Sequence, residues 1–203
     1  MSRRKKIPEV LNEEEQEKLL SQPNHRYPTS QRNYTMMSLM LDTGLRLSET
    51  TNLKWEHIEL MTGKLMVKEG KGAKDRTLFI GEGVIEVLQQ WKERQVEELQ
   101  KRDIDKKPDY VFTTLKGGQV SGRYVRKMVK RTAEKAGINK DISPHTLRHT
   151  YATDFYRDTG NIRMVQKALG HADISTTMIY THIVDDELED AMKNFQSKKR
   201  KVG

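Results

Sequence analysis

Apolar residues recur along the chain at two periods, and the switches between them outline its elements. Leu11, Leu19 and Leu20 flank Glu13, Glu14 and Glu15, which follow Asn12; this predicts a short helix opened by a capping box and closed near Ser21 to Pro23. The stretch QRNYTMMSLMLDTG is denser in apolar residues. Tyr34, Met36, Met37, Leu39, Met40 and Leu41 predict a helix buried on most sides, with methionine as core filler and Gly44 as its stop. A short helix is expected from about Ser48. Between His57 and Ile80 the period changes to that of strands: HIELM, LMVKEG and RTLFI are separated by Thr62-Gly63 and by Gly70-Lys71-Gly72-Ala73-Lys74-Asp75, which predicts a three-stranded antiparallel sheet.

Helical spacing returns with Val84, Val87, Leu88, Trp91 and Leu99 across 83–100, where Trp91 reads as core rather than as a stacking platform. KRDIDKKPD then reads as a polar loop. A short extended piece is expected at Tyr110, Val111 and Phe112, before a turn at Lys116-Gly117-Gly118. A helix over 121–136 follows, with Val125, Met128, Val129, Thr132, Ala133 and Ala136 on one side and Gly137 at its end. Its other faces carry Arg123, Arg126, Lys127, Lys130, Arg131 and Lys135, opposed only by Glu134. A solvated face usually mixes signs, so this one favours a phosphate backbone as partner. Last, Asp185, Asp186, Glu187, Glu189 and Asp190 suit a helix N-terminus, with Leu188, Met192 and Phe195 on an apolar side that folds back or docks on a neighbouring subunit.

Composition sharpens this picture in two ways. The 203 residues suffice for a full core, and no apolar run reaches membrane-spanning length, so a soluble, cytoplasmic protein is expected; with zero cysteines, disulfides and thiolate metal sites are excluded. The net charge is +8, but Arg3, Arg4, Lys5 and Lys6 at one end and Lys198, Lys199, Arg200 and Lys201 at the other account for all of it. Residues 7–197 are therefore neutral as a whole, and the tails read equally as solvated ends or as phosphate-binding arms.

Candidate chemistry concentrates in SPHTLRHTYATDFYRDTGNIRMVQKALGHADISTTMIYTH, from Ser143 to His182. Ser143 and Pro144 read as an N-cap and first helical position, which puts His145 in a first turn suited to an anion and Arg148 three residues on, on the same face. His171 follows a Leu-Gly break, and Tyr180 comes nine residues later. Arg46, in TGLRLSE, sits among apolar neighbours and needs an anionic partner, either a ligand or Glu49 in an internal salt bridge. Lys71 lies at a glycine-flanked hairpin tip, as an ordinary solvated turn lysine or as an ammonium delivered to a ligand; without the GxxxxGK[ST] order a P-loop is not supported. His145 and His149 share the i, i+4 spacing of a zinc pair, but Thr146 stands where HExxH needs glutamate, so no metal site is expected; His149 and His182 read as structural or orienting residues. Arg46, Lys71, His145, Arg148, His171 and Tyr180 together hold the parts for phosphoryl transfer without a metal: guanidiniums for the charge, a phenol as nucleophile, and lysine and histidine for the protons.

TGLRLSE, GKGAKDR, PHTLRHTYAT and LGHADISTTMIYTH, in that order, resemble the catalytic domain of the tyrosine recombinase, or phage-type integrase, family from about Leu11 to Phe195. The resemblance implies an α+β, mainly α-helical fold with a small three-stranded antiparallel sheet. It divides the chain into a basic arm at 1–10, a catalytic domain at 11–184, and a C-terminal helix and basic tail at 185–203. The separate N-terminal helical domain usual in the family is expected to be absent, since only 45 residues precede Arg46.

The function so implied is site-specific recombination of double-stranded DNA, in integration or excision. Tyr180 would attack the scissile phosphate to leave a 3′-phosphotyrosyl enzyme and a free 5′-hydroxyl. Arg46 and Arg148 would grip the phosphate, Lys71 would protonate the departing oxygen, His145 would assist proton transfer and His171 would hydrogen-bond the phosphate. No cofactor is expected, because the covalent link conserves the bond energy. The expected partners are DNA, further copies in a synaptic tetramer, and an accessory directionality factor. Two alternatives are a type IB topoisomerase-like relaxing enzyme, disfavoured by the LGH segment, and a non-catalytic DNA-binding or architectural protein on the same fold.

Overall fold

A computed structural model describes residues 8–68, 75–104 and 107–185, together with Glu189 and Met192. Helix α1 (Glu13–Ser21) begins with the expected capping box, in which Asn12 accepts from the Glu15 amide while the Glu15 carboxylate accepts from the Asn12 amide. Such a cap contributes about 1 kcal/mol. The Leu11 amide donates to Thr150 Oγ1 at 2.9 Å, which ties the entry of α1 to an element more than a hundred residues away.

Helix α2 (Pro28–Thr43) starts earlier than its apolar run suggests, because Pro28 supplies the fixed φ of a first turn ahead of any core residue. Met36, Met37, Leu39 and Met40 are fully buried at the centre of the core. Gly44 ends α2 at φ 62°, where a Cβ would also run into the Tyr151 ring, so only glycine serves. Helix α3 (Leu47–Asn52) follows directly, with Arg46 as its N-cap residue.

The sheet has the expected order. β1 (Ile58–Glu59), β2 (Lys64–Val67) and β3 (Arg76–Phe79) are antiparallel neighbours, with Ile58 opposite Leu65 and Leu65 opposite Leu78. These three residues face the core. The β2–β3 tip, residues 69–74, lies outside the described residues, and the expectation for Lys71 lies there with it.

Helix α4 (Glu82–Gln100) buries Trp91, whose indole N–H donates to the Val111 carbonyl at 2.7 Å. The expected extended piece appears as isolated bridges, Lys54 with Tyr110 and Thr113 with Gln119. Helix α5 (Gly122–Lys135) is capped by Ser121 and buries Val125, Met128, Val129 and Ala133. Helix α6 (Pro144–Thr159) has Ser143 as N-cap, as the sequence indicates, and α2 packs between it and α4.

Helix α7 (Ile162–Leu169) ends at Gly170, with φ 64°. The last described helical stretch departs from expectation. Residues 179–185 are helical, so Asp185 lies within a helical stretch that begins before it rather than opening one. Its first turn carries Tyr180, because Thr177, Tyr180 and Ile183 already supply a buried i, i+3 face before the acidic run begins. Met192, expected on an apolar side, is 55% exposed, and Leu188 and Phe195 lie outside the described residues. Among the described residues no helix is long and apolar enough to cross a membrane.

A candidate phosphate-handling site

The site is organised by the C-terminal end of α7, whose last carbonyls have no partner within the helix and carry its negative dipole end. Three guanidiniums from distant elements meet those carbonyls. Arg76, from β3, donates to the Ala168 carbonyl at 2.8 Å, Arg148, from α6, to that of Leu169 at 2.7 Å, and Arg46 to that of Gly170 at 3.1 Å. Helix α7, β3 and α6 are thereby pinned together at one point.

One carboxylate binds the same three arginines. Glu49 accepts from Arg76 through both oxygens at 2.9 Å and from Arg46 Nη1 at 2.8 Å, and lies 4.0 Å from Arg148 Nη1. It also accepts from the Arg46 amide at 2.7 Å, because Glu49 occupies the third position of α3. Burial alone would raise this carboxyl, but the Arg76 and Arg46 hydrogen bonds and charges outweigh it and hold Glu49 below the usual carboxylate range. The two readings of Arg46 are therefore compatible: it makes the internal salt bridge and still shows 35% of its side chain to solvent, against 6% for Arg148.

Arg148 is held from both sides. Its Nη1 donates to the Gly44 carbonyl at 2.6 Å, and its Nη2 faces His171 Nε2 at 3.1 Å. Burial, followed by the charge of Arg46, lowers it to about 10, which leaves it cationic at neutral pH. An arginine always donates, so His171 Nε2 accepts; His171 Nδ1 then carries the proton and donates to Thr177 Oγ1 at 3.0 Å. Burial and the Arg148 charge push the His171 imidazole down to about 4.

Tyr180 lies beside this cluster in a small apolar pocket with Ala152, Val165, Leu169 and Ile183, and is 1% exposed. Its hydroxyl lies 2.9 Å from His149 Nδ1, and burial raises the phenol to about 12. His145, one turn before His149 on α6, is exposed. Among the described residues no set of three His, Cys, Asp or Glu side chains converges as metal ligands would.

Of the six candidates, Arg46, Arg148 and His171 are brought together directly or through Glu49, Tyr180 is adjacent, His145 stands at the rim, and Lys71 is outside the described residues. Sequence reasoning gave no site role to Arg76, although GKGAKDR ends on it, and treated Glu49 only as a partner for Arg46. The strand period carried a signal for Arg76: it sits opposite buried Val67 in the sheet, an unusual place for a charge without a built partner.

The basic side chains of α5 stand apart from this centre. Arg123, Arg126, Lys127, Lys130 and Arg131 are all exposed, and Lys130 reaches Asp141 only at 3.9 Å. A groove of about 600 Å³ runs along this helix, lined by Asn33, Tyr124, Lys127, Arg131 and Lys135 among others. Tyr124 is anchored there by buried Arg32, whose Nη2 donates to the phenol oxygen at 2.6 Å.

Fold and site together define a mainly helical protein with a three-stranded sheet, a cluster of arginines around one glutamate and a tyrosine hydroxyl beside it. The phage integrase family matches residues 9–187, and the chain belongs to that family. It is 37% identical over 191 residues to the tyrosine recombinase XerD of Staphylococcus aureus strain Mu50, covering 94% of this chain and 63% of that protein. It is 38% identical over 189 residues to XerD of Listeria innocua, covering 93% and 63%. The chain thus spans about 63% of the length of these curated relatives. Among solved structures, the XerA recombinase superposes with a TM-score of 0.79 at 31% identity, over 95% of this chain and 66% of that one. The XerH site-specific recombinase, bound to a palindromic difH substrate in a post-cleavage complex, superposes with a TM-score of 0.77 at 32% identity, over 94% and 54%.

Proposed function

We propose that this chain carries the catalytic machinery of a site-specific DNA recombinase, cleaving and rejoining strands through a 3′-phosphotyrosyl intermediate. One observation carries the reading: Arg46, Arg148 and His171 meet at the end of α7, and the Tyr180 ring packs against the same helix with its hydroxyl held by His149 of α6. Arg46, Arg76 and Arg148 converge here around Glu49, and this cluster gathers guanidinium donors of the kind that bind a phosphodiester. Its donors are fixed before the ligand arrives, so little reorganisation is needed as charge builds up in the transition state.

In this scheme Arg46 and Arg148 hold the non-bridging oxygens, and His171 steadies Arg148. Tyr180 Oη attacks phosphorus, Lys71 gives a proton to the departing 5′-oxygen, and His145 assists proton transfer. Rejoining reverses the step, with a 5′-hydroxyl displacing the tyrosine. Arg123, Arg126, Lys127, Lys130 and Arg131 hold the duplex backbone, and further copies assemble with the chain on DNA. The relatives' names and the difH complex of XerH support double-stranded DNA as the partner.

The test begins by selecting bound duplexes from a random-sequence pool, then places a nick beside the cleavage position so that the cleaved strand cannot be rejoined. Wild-type protein is expected to become attached to the new 3′ end, and Tyr180→Phe to form no adduct. Specific binding without any adduct would favour the architectural alternative.

A further inference from the structure

Attack by Tyr180 requires its phenol to lose a proton, and burial makes that proton harder to remove than in water, with a pKa raised to about 12. The phenolate fraction at neutral pH is therefore very small, and the proton must pass to a neighbour as the bond to phosphorus forms. Three histidines are near enough in the fold to be considered. His171 has both nitrogens committed: Nε2 accepts from Arg148, and Nδ1 faces Thr177. Taking a proton at Nε2 would set two donors against each other and loosen Arg148. His145 is exposed and makes no hydrogen bond to the phenol.

His149 stands within hydrogen-bond distance of the reacting oxygen, Nδ1 to Oη at 2.9 Å. Resting on the strand-transfer reading above, we infer that His149 is a further catalytic residue, the group that accepts the Tyr180 proton as the phosphotyrosyl bond forms. The transfer balances. The Oη–H pair becomes the new Oη–P bond while the proton moves to His149 Nδ1, and the P–O5′ bond breaks with its electrons going to the 5′-oxygen, which is protonated by the general acid assigned to Lys71. In rejoining, the imidazolium returns its proton to the leaving phenol.

The surroundings of His149 fit this work. His145 and Arg148 face it from its own helix, the Tyr180 phenol from the helix over 179–185, and His171 from the segment after α7. Burial, then the charges of His145 and Arg148, lower its pKa to about 4, so the ring is neutral and holds a free lone pair at physiological pH. A phosphodiester seated between Arg46 and Arg148 offsets the positive charge that weakens this base, so its basicity rises only when substrate is present.

Two measurements on the whole chain test the inference. Nitrogen NMR of the histidine rings, without DNA, is expected to find His149 Nδ1 unprotonated; a proton on Nδ1 would make the imidazole a donor to Oη and overturn the idea. Single-turnover cleavage is then followed on the selected nicked duplex with either oxygen or sulfur as the 5′ bridging atom. His149→Ala is expected to slow both substrates by about 10²–10⁴-fold, since a better leaving group replaces an acid but not a base, and added imidazole should restore part of the rate. An unchanged or faster rate would make the hydrogen bond a latch on the resting tyrosine. Recovery on the sulfur substrate would move His149 to the leaving group, and slowing without imidazole rescue would make it a structural support; each of these overturns the inference. A wild-type chain that forms no adduct at all defeats the strand-transfer reading and the inference with it, whereas an active wild type with an unimpaired His149→Ala defeats the inference alone.

Discussion

The arginines around Glu49 and the basic residues of α5 use the same functional groups for different physics. Arg76 and Arg148 keep less than a tenth of their side chains exposed and have their donors assigned to helix-end carbonyls, a carboxylate and a histidine. Arg123, Arg126, Lys127, Lys130 and Arg131 stand in water. In the proposed function, groups of the first kind act on one phosphate with little reorganisation and little salt screening. In the same proposal, groups of the second kind attract many phosphates weakly, through counterion release that salt reverses. Charge count alone does not distinguish the two sets; burial and hydrogen-bond assignment do.

The contrast can be broken at its centre first. Glu49→Ala removes the carboxylate shared by Arg46, Arg76 and Arg148, and should destabilise the fold by about 3–5 kcal/mol, the scale for stranding buried charge; denaturant titration checks it, and a loss under about 1 kcal/mol would mean the guanidiniums do not depend on it. Arg148→Ala should slow single-turnover cleavage by about 10²–10³-fold, the scale for losing one preorganised donor. Near-normal cleavage would remove Arg148 from the assigned role. On α5, Lys127→Gln with Arg131→Gln should weaken DNA binding and reduce the slope of log affinity against log salt by up to about 0.9 for each phosphate no longer neutralised. An unaltered slope would take these residues off the DNA.

A further prediction concerns pH. His149 and His171 are neutral in the fold, with pKa near 4 against 6.5 as free groups. Between those values the unfolded chain binds more protons, so stability should fall as pH drops from about 6.5 toward about 4. Glu49, held below its ordinary value, adds a loss only at lower pH, as its carboxylate is finally protonated. Urea midpoints at stepped pH measure this, and replacing both histidines with asparagine should flatten the upper part of the slope.

Much of this was legible in local pattern, because capping and amphipathic spacing are local physics. Asn12 with Glu15, Ser143 with Pro144, Gly44 after the methionine helix, and the two faces of α5 all appear where their residue types require them. The meeting of His149 with Tyr180, 31 residues apart, was not legible, since no periodicity encodes which ring nitrogen meets which hydroxyl across a loop. The role of α7 was hidden for a related reason. Its carbonyls became a hub only once β3, α6 and the α2–α3 junction had been brought to its end, and backbone acceptors leave no residue signature. The start of the helix over 179–185 was missed because the acidic run at Asp185 is the louder N-terminal signal.

The central claim is that the buried arginine cluster exists to serve the hydroxyl of Tyr180. Peptide mapping of the trapped protein–DNA adduct by mass spectrometry tests it most directly. A nucleotide remnant joined through its 3′-phosphate to the peptide containing Tyr180 is the predicted result. A remnant on any other residue, or attachment through a 5′-phosphate, would contradict the account.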